Sequence, residues 1–397
     1  MRTAGTRLDW PWRPFACFVA LGVFWGSWGA LLPSIQEQTG ATDADLGLAL
    51  LVLASAALPA MLSSGWIIDR LGDRALAPVT GGFGVAAFIP ALAHSPVALG
   101  AAVVALGAAS GTLDVTMNAA VAAEEERRGR RLMHAAHALF SIGVVVSGGL
   151  VGLARAAGAD PVAVLGVVAS VLLAIAAAIA VRRPGHGGRA VHATVRPTGR
   201  RLMISAPLLM LGGLCALAFV VEGALQSWSA IHLEDTLGAG PAVGGLGPAT
   251  FAAAMALGRL GAQGLADRTP DRLLLGSAAG LCAIGTAVAA FAPSAPVALA
   301  GMFVSGAGIS VAAPTLFGLG GRIVPGSERG RALASVTTVA YLGFLLGPSM
   351  VGALAGATSL RWGLAAAAAV AVVLAGTARF APVSPPLSVG TDAGGPE

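Results

Sequence analysis

The stretch Asp69-Arg70-Leu71-Gly72-Asp73-Arg74 is a charged turn between two long apolar runs, Leu46–Ile68 and Ala75–Ala93. An α-helix rises 1.5 Å per residue, so about 20 apolar residues cross the hydrocarbon core of a bilayer. Each run is therefore long enough to form one membrane-spanning helix. A charged turn that joins two such runs predicts a helical hairpin inside a membrane.

The same alternation of apolar runs and short charged connections continues along the whole chain. Of its 397 residues, 11% are charged and 56% are hydrophobic, whereas a soluble protein carries about 25% charged residues. The sequence therefore predicts an all-α polytopic membrane protein with twelve transmembrane helices. The twelve apolar runs are Pro14–Gln36, Leu46–Ile68, Ala75–Ala93, Val97–Ala123, Leu132–Ala154, Pro161–Val181, Leu202–Ile231, Ala242–Ala266, Leu273–Ala292, Val297–Gly321, Ala332–Gly356 and Trp362–Ala378.

The arginines indicate how the chain is oriented. All 24 basic residues are Arg, and with twelve spans 21 of them fall on the side that holds both termini. Arg155 and Arg361 fall on the other side, and Arg259 lies within a span. By the positive-inside rule, we expect a multi-pass protein of the inner membrane with both termini cytoplasmic. Because the arginines lie in separate short loops, we expect contact with membrane lipid and none with nucleic acid.

The chain divides into two similar halves. The sequence predicts a cytoplasmic amino-terminal segment (1–13), a six-helix half (14–181), a polar linker (182–201), a second six-helix half (202–380) and a disordered tail (381–397). The opening turn recurs as Asp267-Arg268-Thr269-Pro270-Asp271-Arg272, and Ser27-Trp28-Gly29-Ala30 recurs as Ser227-Trp228-Ser229-Ala230. Parallel repeats of six helices are typical of transporters whose binding site lies between two rocking halves.

The opening turn belongs to a longer motif, Gly65-x-x-x-Asp69-Arg70-x-Gly72-x-Arg74. This motif resembles the signature loop of the major facilitator superfamily, in which it acts as a conformational latch, and Asp267 and Arg268 stand in its second copy. Gly65 would let two helices approach closely, and Asp69 could face the positive amino-terminal end of a neighbouring helix. The alternative is an ordinary arginine-rich loop with a turn glycine.

Two further stretches resemble one bacterial branch of that superfamily. Leu113-Asp114-Val115-Thr116-Met117-Asn118 with His134–Gly143 looks like its helices four and five, and Glu222–Ala230 looks like its helix seven. The branch is similar to the fucose-permease group and to a membrane protein of rhizopine gene clusters, which implies a sugar- or polyol-like solute. The superfamily's helix-four Arg motif is missing, and the pattern Gly343-x-x-x-Gly347-Pro348, which marks antiporters on helix five, lies on helix eleven here.

The candidate site consists of polar residues inside the spans. Asp114 and Glu222 are the acidic residues that fall well inside spans, where charge is costly and a functional role is the default. Asn118 and Gln226 share their helix faces one turn on, where they could bind solute hydroxyl groups. A structural carboxylate that bonds to a neighbouring helix is the alternative for each acid. Four further residues complete the predicted substrate and proton pathway: Trp28, Trp228, His137 and Arg259.

Each of these four residues has an alternative interpretation. Trp28 and Trp228 could stack on a ring or could pack against helix neighbours, and Arg259 could pair with a carboxylate or could snorkel to the interface. His134 and His137 are spaced for a metal, but without a third ligand we predict no metal site and no cofactor. His137 could instead form hydrogen bonds near the cytoplasmic mouth of the site.

Taken together, these residues predict a secondary active transporter and not an enzyme. We expect it to move a small polar organic solute by alternating access, linked to protons, and to act as a monomer. An exporter of an amphipathic metabolite or drug is the alternative within transport. A non-transporting membrane sensor is a second class. An intramembrane enzyme would need a nucleophile–base pair or metal ligands, and no defensible spacing of that kind occurs.

Overall fold

A computed structural model describes residues 11–130, 132–181, 205–266, 268–325 and 328–382. The described residues are nearly all helical, and no β-strand occurs among them. The helices are α1 (Trp12–Thr39), α2 (Asp43–Leu71), α3 (Leu76–Phe88), α4 (Pro96–Arg128), α5 (Met133–Ala156), α6 (Pro161–Val181), α7 (Ala206–Ile231), α8 (Pro241–Gly244), α9 (Leu246–Ala266), α10 (Asp271–Ala290), α11 (Ala295–Ile309), α12 (Ala312–Arg322), α13 (Arg329–Ala357) and α14 (Leu360–Thr377).

Eleven stretches of the described chain are long and apolar enough to cross a membrane. One of them, Asp43–Leu92, has 50 residues, or about 75 Å of helix, which is more than twice the thickness of the hydrocarbon core. It contains α2 and α3, which are joined by the 3₁₀ turn Gly72–Ala75. Counting α2 and α3 as separate crossings agrees with the twelve spans predicted from the sequence.

The helix ends follow from local chemistry. Thr42 and Asp45 form a capping box at the start of α2, where each side chain bonds the backbone N–H of the other. Gly72, in the motif turn, has a φ of 51°, a left-handed conformation that glycine adopts without steric cost. The predicted span Val297–Gly321 is broken into α11 and α12 just before Pro314, whose ring would clash with the Ser310 carbonyl in a continuous helix.

Close glycine contacts join the two halves of the bundle at one end. We call the end that carries the turn Gly72–Ala75 the motif end, and the opposite end the far end. At the far end α2 crosses α13 where Gly47 faces Gly352, and a Cβ added at Gly47 would lie 2.9 Å from the Gly352 Cα. Gly152 of α5 similarly faces Gly245, between α8 and α9. Paired glycines let helix backbones approach closely, so they close the far end.

Several sequence predictions fall outside the described residues. They are most of the amino-terminal segment (1–10), the linker (182–201), nearly all of the tail (383–397) and Asp267 of the second motif copy. The assignment of the cytoplasmic side therefore remains a prediction. The antiporter-like pattern has a structural explanation, since Gly343 and Gly347 pack against backbone carbonyls of α7 within the same half.

Candidate functional site

Asp114 and Asn118 lie one turn apart on α4 and contact each other, as their spacing predicts. The amide nitrogen of Asn118 donates to the Asp114 carboxylate oxygen Oδ1 at 3.2 Å and to the Asp114 carbonyl at 2.8 Å. The other carboxylate oxygen, Oδ2, accepts a hydrogen bond from the Tyr341 hydroxyl of α13 at 3.3 Å. Asp114 therefore contacts both halves of the protein.

Glu222 and Gln226 form the corresponding pair on α7. The Gln226 amide nitrogen donates to the Glu222 Oε1 at 3.0 Å, and both side chains are half-buried. Arg259 of α9 is half-buried and lies within electrostatic range of Glu222 and of His137. The ring of His137 packs edge-on against Phe18, with centroids 5.0 Å apart. The helices thus place a carboxylate beside an amide in each half, with a guanidinium in the field of the second carboxylate.

The two predicted tryptophans are packed away from solvent in this conformation. Trp28 is 2% exposed and stacks on Phe24 at a centroid distance of 5.9 Å. Trp228 is fully buried, and its indole N–H donates to the Pro348 carbonyl at 3.0 Å. The packing alternative therefore describes both indoles here, because neither ring face is accessible to a solute.

The predicted latch residues lie exposed at the motif end. Asp69, Arg70, Arg74 and Arg268 are all exposed, and among the described residues none forms a hydrogen bond with Asp69. Arg70 instead lies over the ring of Trp66, 4.2 Å from its centroid. The expected close approach at Gly65 is absent, since a Cβ added there would meet no heavy atom within 4 Å. Close glycine contacts between the halves lie at the far end instead, at Gly47 with Gly352 and at Gly152 with Gly245.

An ion pair that the sequence analysis missed joins the halves at the far end. Arg155, at the end of α5, donates through Nη1 and Nη2 to the two carboxylate oxygens of Glu234 at 2.6 and 2.8 Å. Its Nε donates to the Ser34 hydroxyl at 2.7 Å, and Nη1 also donates to the Ala30 carbonyl at 2.8 Å. The side chains are only 5% and 10% exposed. A bidentate pair that is this buried and this fully bonded is a strong, geometrically specific contact.

The local fold after α7 positions the Glu234 carboxylate. Glu234 lies in a π-helical turn, His232–Thr236, which widens the end of α7, and such turns are frequent at functional sites. The carboxylate rests directly over Gly244 of α8, at the place where a Cβ would be. Gly244 therefore leaves the space that the carboxylate needs to reach Arg155.

Tyr341, Arg155 and Glu234 are the site residues that sequence reasoning did not find. Each had a weak signal. Tyr341 is the single tyrosine of the chain and lies inside an apolar run, and Arg155 is one of the two arginines on the wrong side for the positive-inside rule. The described residues contain no group of three or more His, Cys, Asp or Glu that could hold a metal ion.

The sequence profile of the Major Facilitator Superfamily matches residues 15–235 and 215–396. The chain belongs to the major facilitator superfamily. It is 31% identical to an uncharacterized MFS-type transporter of Yersinia pestis over 372 residues, which cover 92% of this chain and 93% of that protein. It is 29% identical to the membrane protein MosC of Rhizobium meliloti over 369 residues, which cover 90% of this chain and 86% of MosC. The predicted resemblance to this superfamily and to a rhizopine-cluster membrane protein is confirmed.

Solved structures of major facilitator proteins share the fold. The nucleoside transporter NupG superposes with a TM-score of 0.73 at 13% identity, covering 94% of this chain and 98% of NupG. A D-xylose-proton symporter superposes with a TM-score of 0.69 at 15% identity, covering 94% of this chain and 97% of the symporter. These identities establish a common fold. The predicted fold class, a helical membrane protein of the major facilitator type, is confirmed.

Proposed function

We propose that this protein is a secondary active transporter of a small polar organic solute, sugar- or polyol-like, which it moves across the inner membrane by alternating access. The observation that carries the proposal is the pair of carboxylate–amide couples, Asp114 with Asn118 on α4 and Glu222 with Gln226 on α7. Each half contributes one couple. Such groups can accept and donate hydrogen bonds to several hydroxyl groups at once.

The two carboxylates also support a link to protons. Charged groups inside a membrane are costly and mark substrate or proton pathways. A carboxylate that each half presents in turn to one side can bind a proton there and release it on the other. Arg259, in the field of Glu222, would balance the charge of that carboxylate while it holds no proton.

The contacts between the halves support alternating access. The far end is closed by the glycine pairs and by the ion pair of Arg155 with Glu234, whereas the latch residues at the motif end are exposed. With the motif end on the cytoplasmic side, as the arginine distribution predicts, this is an inward-facing state. Transport would require the ion pair to break and the motif end to close.

Two of the solved structures that share the fold support the solute class. NupG is described as a nucleoside transporter and another neighbour as a D-xylose-proton symporter, and both kinds of solute carry several hydroxyl groups. The alternative, export of an amphipathic metabolite or drug, finds no support in the Gly343–Gly347 pattern, because those glycines pack α13 on α7.

Uptake into proteoliposomes tests the proposal. Purified protein is reconstituted, a pH gradient is imposed, and accumulation of radiolabelled D-xylose, myo-inositol and uridine is measured. We expect one of these solutes to accumulate against its gradient and the accumulation to stop when a protonophore collapses the pH difference. Solute uptake that ignores the pH difference would refute the proton link, and uptake of none would refute the solute class.

A further inference from the structure

Tyr341, in the carboxy-terminal half, contacts the carboxylate of Asp114 in the amino-terminal half. It is the single tyrosine of the chain, it lies half-buried on α13, and its hydroxyl donates to the Asp114 Oδ2. Asp114 and Tyr341 are separated by 227 residues and belong to different halves. The hydrogen bond therefore crosses the space between the halves, where a transported solute has to bind.

The Tyr341 hydrogen bond is long. Hydrogen bonds between two oxygens usually span about 2.5–3.0 Å, and this one spans 3.3 Å. The Asn118 amide, by contrast, is fixed to Asp114 by a second bond to the Asp114 carbonyl at 2.8 Å. Of the two groups that bond to the carboxylate, the tyrosine hydroxyl is thus the one that an incoming donor could replace at lower cost.

Tyr341 also belongs to a row of aromatic rings that leads to the second carboxylate. Its ring packs edge-on against Phe344 at 6.1 Å, and Phe344 stacks on Phe219 of α7 at 4.3 Å. Phe219 lies one helical turn before Glu222. All three residues are partly exposed, in contrast to Trp28 and Trp228, and the row runs from the Tyr341 contact with Asp114 toward Glu222.

This arrangement has the chemistry of a ring-binding site. We propose, resting on the proposed carrier function, that Tyr341 determines which solutes bind: its hydroxyl holds the place at Asp114 that a solute hydroxyl takes, and its ring begins an aromatic surface for the apolar face of a cyclic polyol. A solute hydroxyl displaces the phenol and donates to Oδ2. Aromatic rings bury large apolar areas, so a closed ring gains contacts that a flexible open-chain polyol, even one with more hydroxyl groups, does not.

The test compares D-xylose, a closed ring in solution, with xylitol, its open-chain reduction product that carries one more hydroxyl group, by isothermal titration of the purified protein. We expect D-xylose to bind about tenfold more tightly, a difference of about 1.4 kcal/mol. Tyr341→Ala should reduce that preference to less than about twofold, since the ring is gone. Tyr341→Phe should keep the preference and tighten D-xylose binding about 2- to 10-fold, because the solute no longer displaces a hydroxyl whose hydrogen bond is worth about 0.5–1.5 kcal/mol.

Thr338→Val is the matched control. Thr338 lies on the same helix, and its hydroxyl donates to the Ala334 carbonyl, so its removal should change neither the affinity nor the preference. A merely structural tyrosine would make Tyr341→Phe neutral or weaker, and either result overturns the proposal. Equal binding of D-xylose and xylitol by the wild-type protein also overturns it. If the protein still accumulates solute under a pH gradient when one of these results is found, the carrier function stands and only the role of Tyr341 is refuted. If neither D-xylose nor xylitol binds, the solute class is refuted as well.

Discussion

Arg155 and Glu234 form a buried bidentate ion pair that joins the two halves of the protein at the far end of the bundle. Loss of one partner leaves a buried unpaired charge, which typically costs on the order of 3–5 kcal/mol. The pair also holds Ser34 and the Ala30 carbonyl. It is thus the contact whose removal should most strongly favour the opposite conformation of the transporter.

We predict that Glu234→Gln shifts the conformational equilibrium toward a state that is open at the far end. A cost of about 3 kcal/mol to the closed far end corresponds to a population ratio about 100-fold larger for the open state. Spin labels on cysteines introduced at His94 and Thr358, which are exposed in the two halves at the far end, should therefore move apart. Distances between the labels can be measured by double electron–electron resonance.

Glu328→Gln provides the matched control. Glu328 also pairs with an arginine, Arg331, but its side chain is 38% exposed, and exposed pairs contribute at most about 1 kcal/mol. The label distances should be unchanged in that variant. An unchanged distance distribution in Glu234→Gln would instead show that the glycine contacts alone keep the far end closed.

We predict that Asp69→Asn slows transport severalfold without preventing insertion and folding. Asp69 is exposed in this conformation, so the native state described here loses no contact when it is changed. Its charge is expected to act after the motif end closes, near the amino-terminal end of a helix, where a carboxylate contributes about 0.3–1 kcal/mol. The measurement is turnover in proteoliposomes at equal protein density.

Asp73→Asn is the matched control for Asp69→Asn. Asp73 lies in the same turn and forms a long, half-exposed ion pair with Arg127 at 3.8 Å, and exposed pairs contribute little, so its loss should leave turnover nearly unchanged. Wild-type turnover by the Asp69 variant would refute the latch role.

We predict that Asp114→Asn and Glu222→Gln each abolish solute accumulation driven by a pH gradient, and that at least one of them retains exchange. An amide keeps the size and hydrogen-bonding capacity of the carboxylate but cannot carry a proton. Counterflow of labelled against unlabelled solute measures exchange without any pH gradient. If both variants accumulated solute normally, proton coupling through these residues would be excluded, and loss of both activities together would favour a purely structural role.

We predict that the motif end faces the cytoplasm. An impermeant maleimide added to whole cells should label His94→Cys, at the far end, and should not label Arg130→Cys, in the connection between α4 and α5. Both positions are exposed, and the native Cys17, Cys215 and Cys282 are buried, so background labelling should be low. The reverse pattern would invert the topology.

Local sequence patterns predicted the helices and the couples within them. Asp114 with Asn118 and Glu222 with Gln226 are four residues apart, and helical periodicity alone places such side chains together. Twelve spans followed from hydrophobic length.

Contacts between the halves could not be predicted in this way. Arg155 and Glu234 are 79 residues apart, and their contact depends on how the two six-helix halves pack against each other. Helical periodicity does not predict that packing. Arg155 and Arg361 were exceptions to the positive-inside rule, and the sequence offered no reason for their position. Both are bonded to the protein, Arg361 through the Ala292 carbonyl at 3.2 Å, so neither is an ordinary loop arginine.

Gly244 has a consequence for how this sequence can change over time. The Glu234 carboxylate occupies the place of a Gly244 side chain, so any larger residue at position 244 requires the carboxylate to leave. Once the carboxylate has left, Arg155 is a buried charge without its partner and is itself under pressure to change. Positions 155, 234 and 244 should therefore vary together among homologues, and a lineage that lost the glycine would have had to find another way to hold its two halves closed.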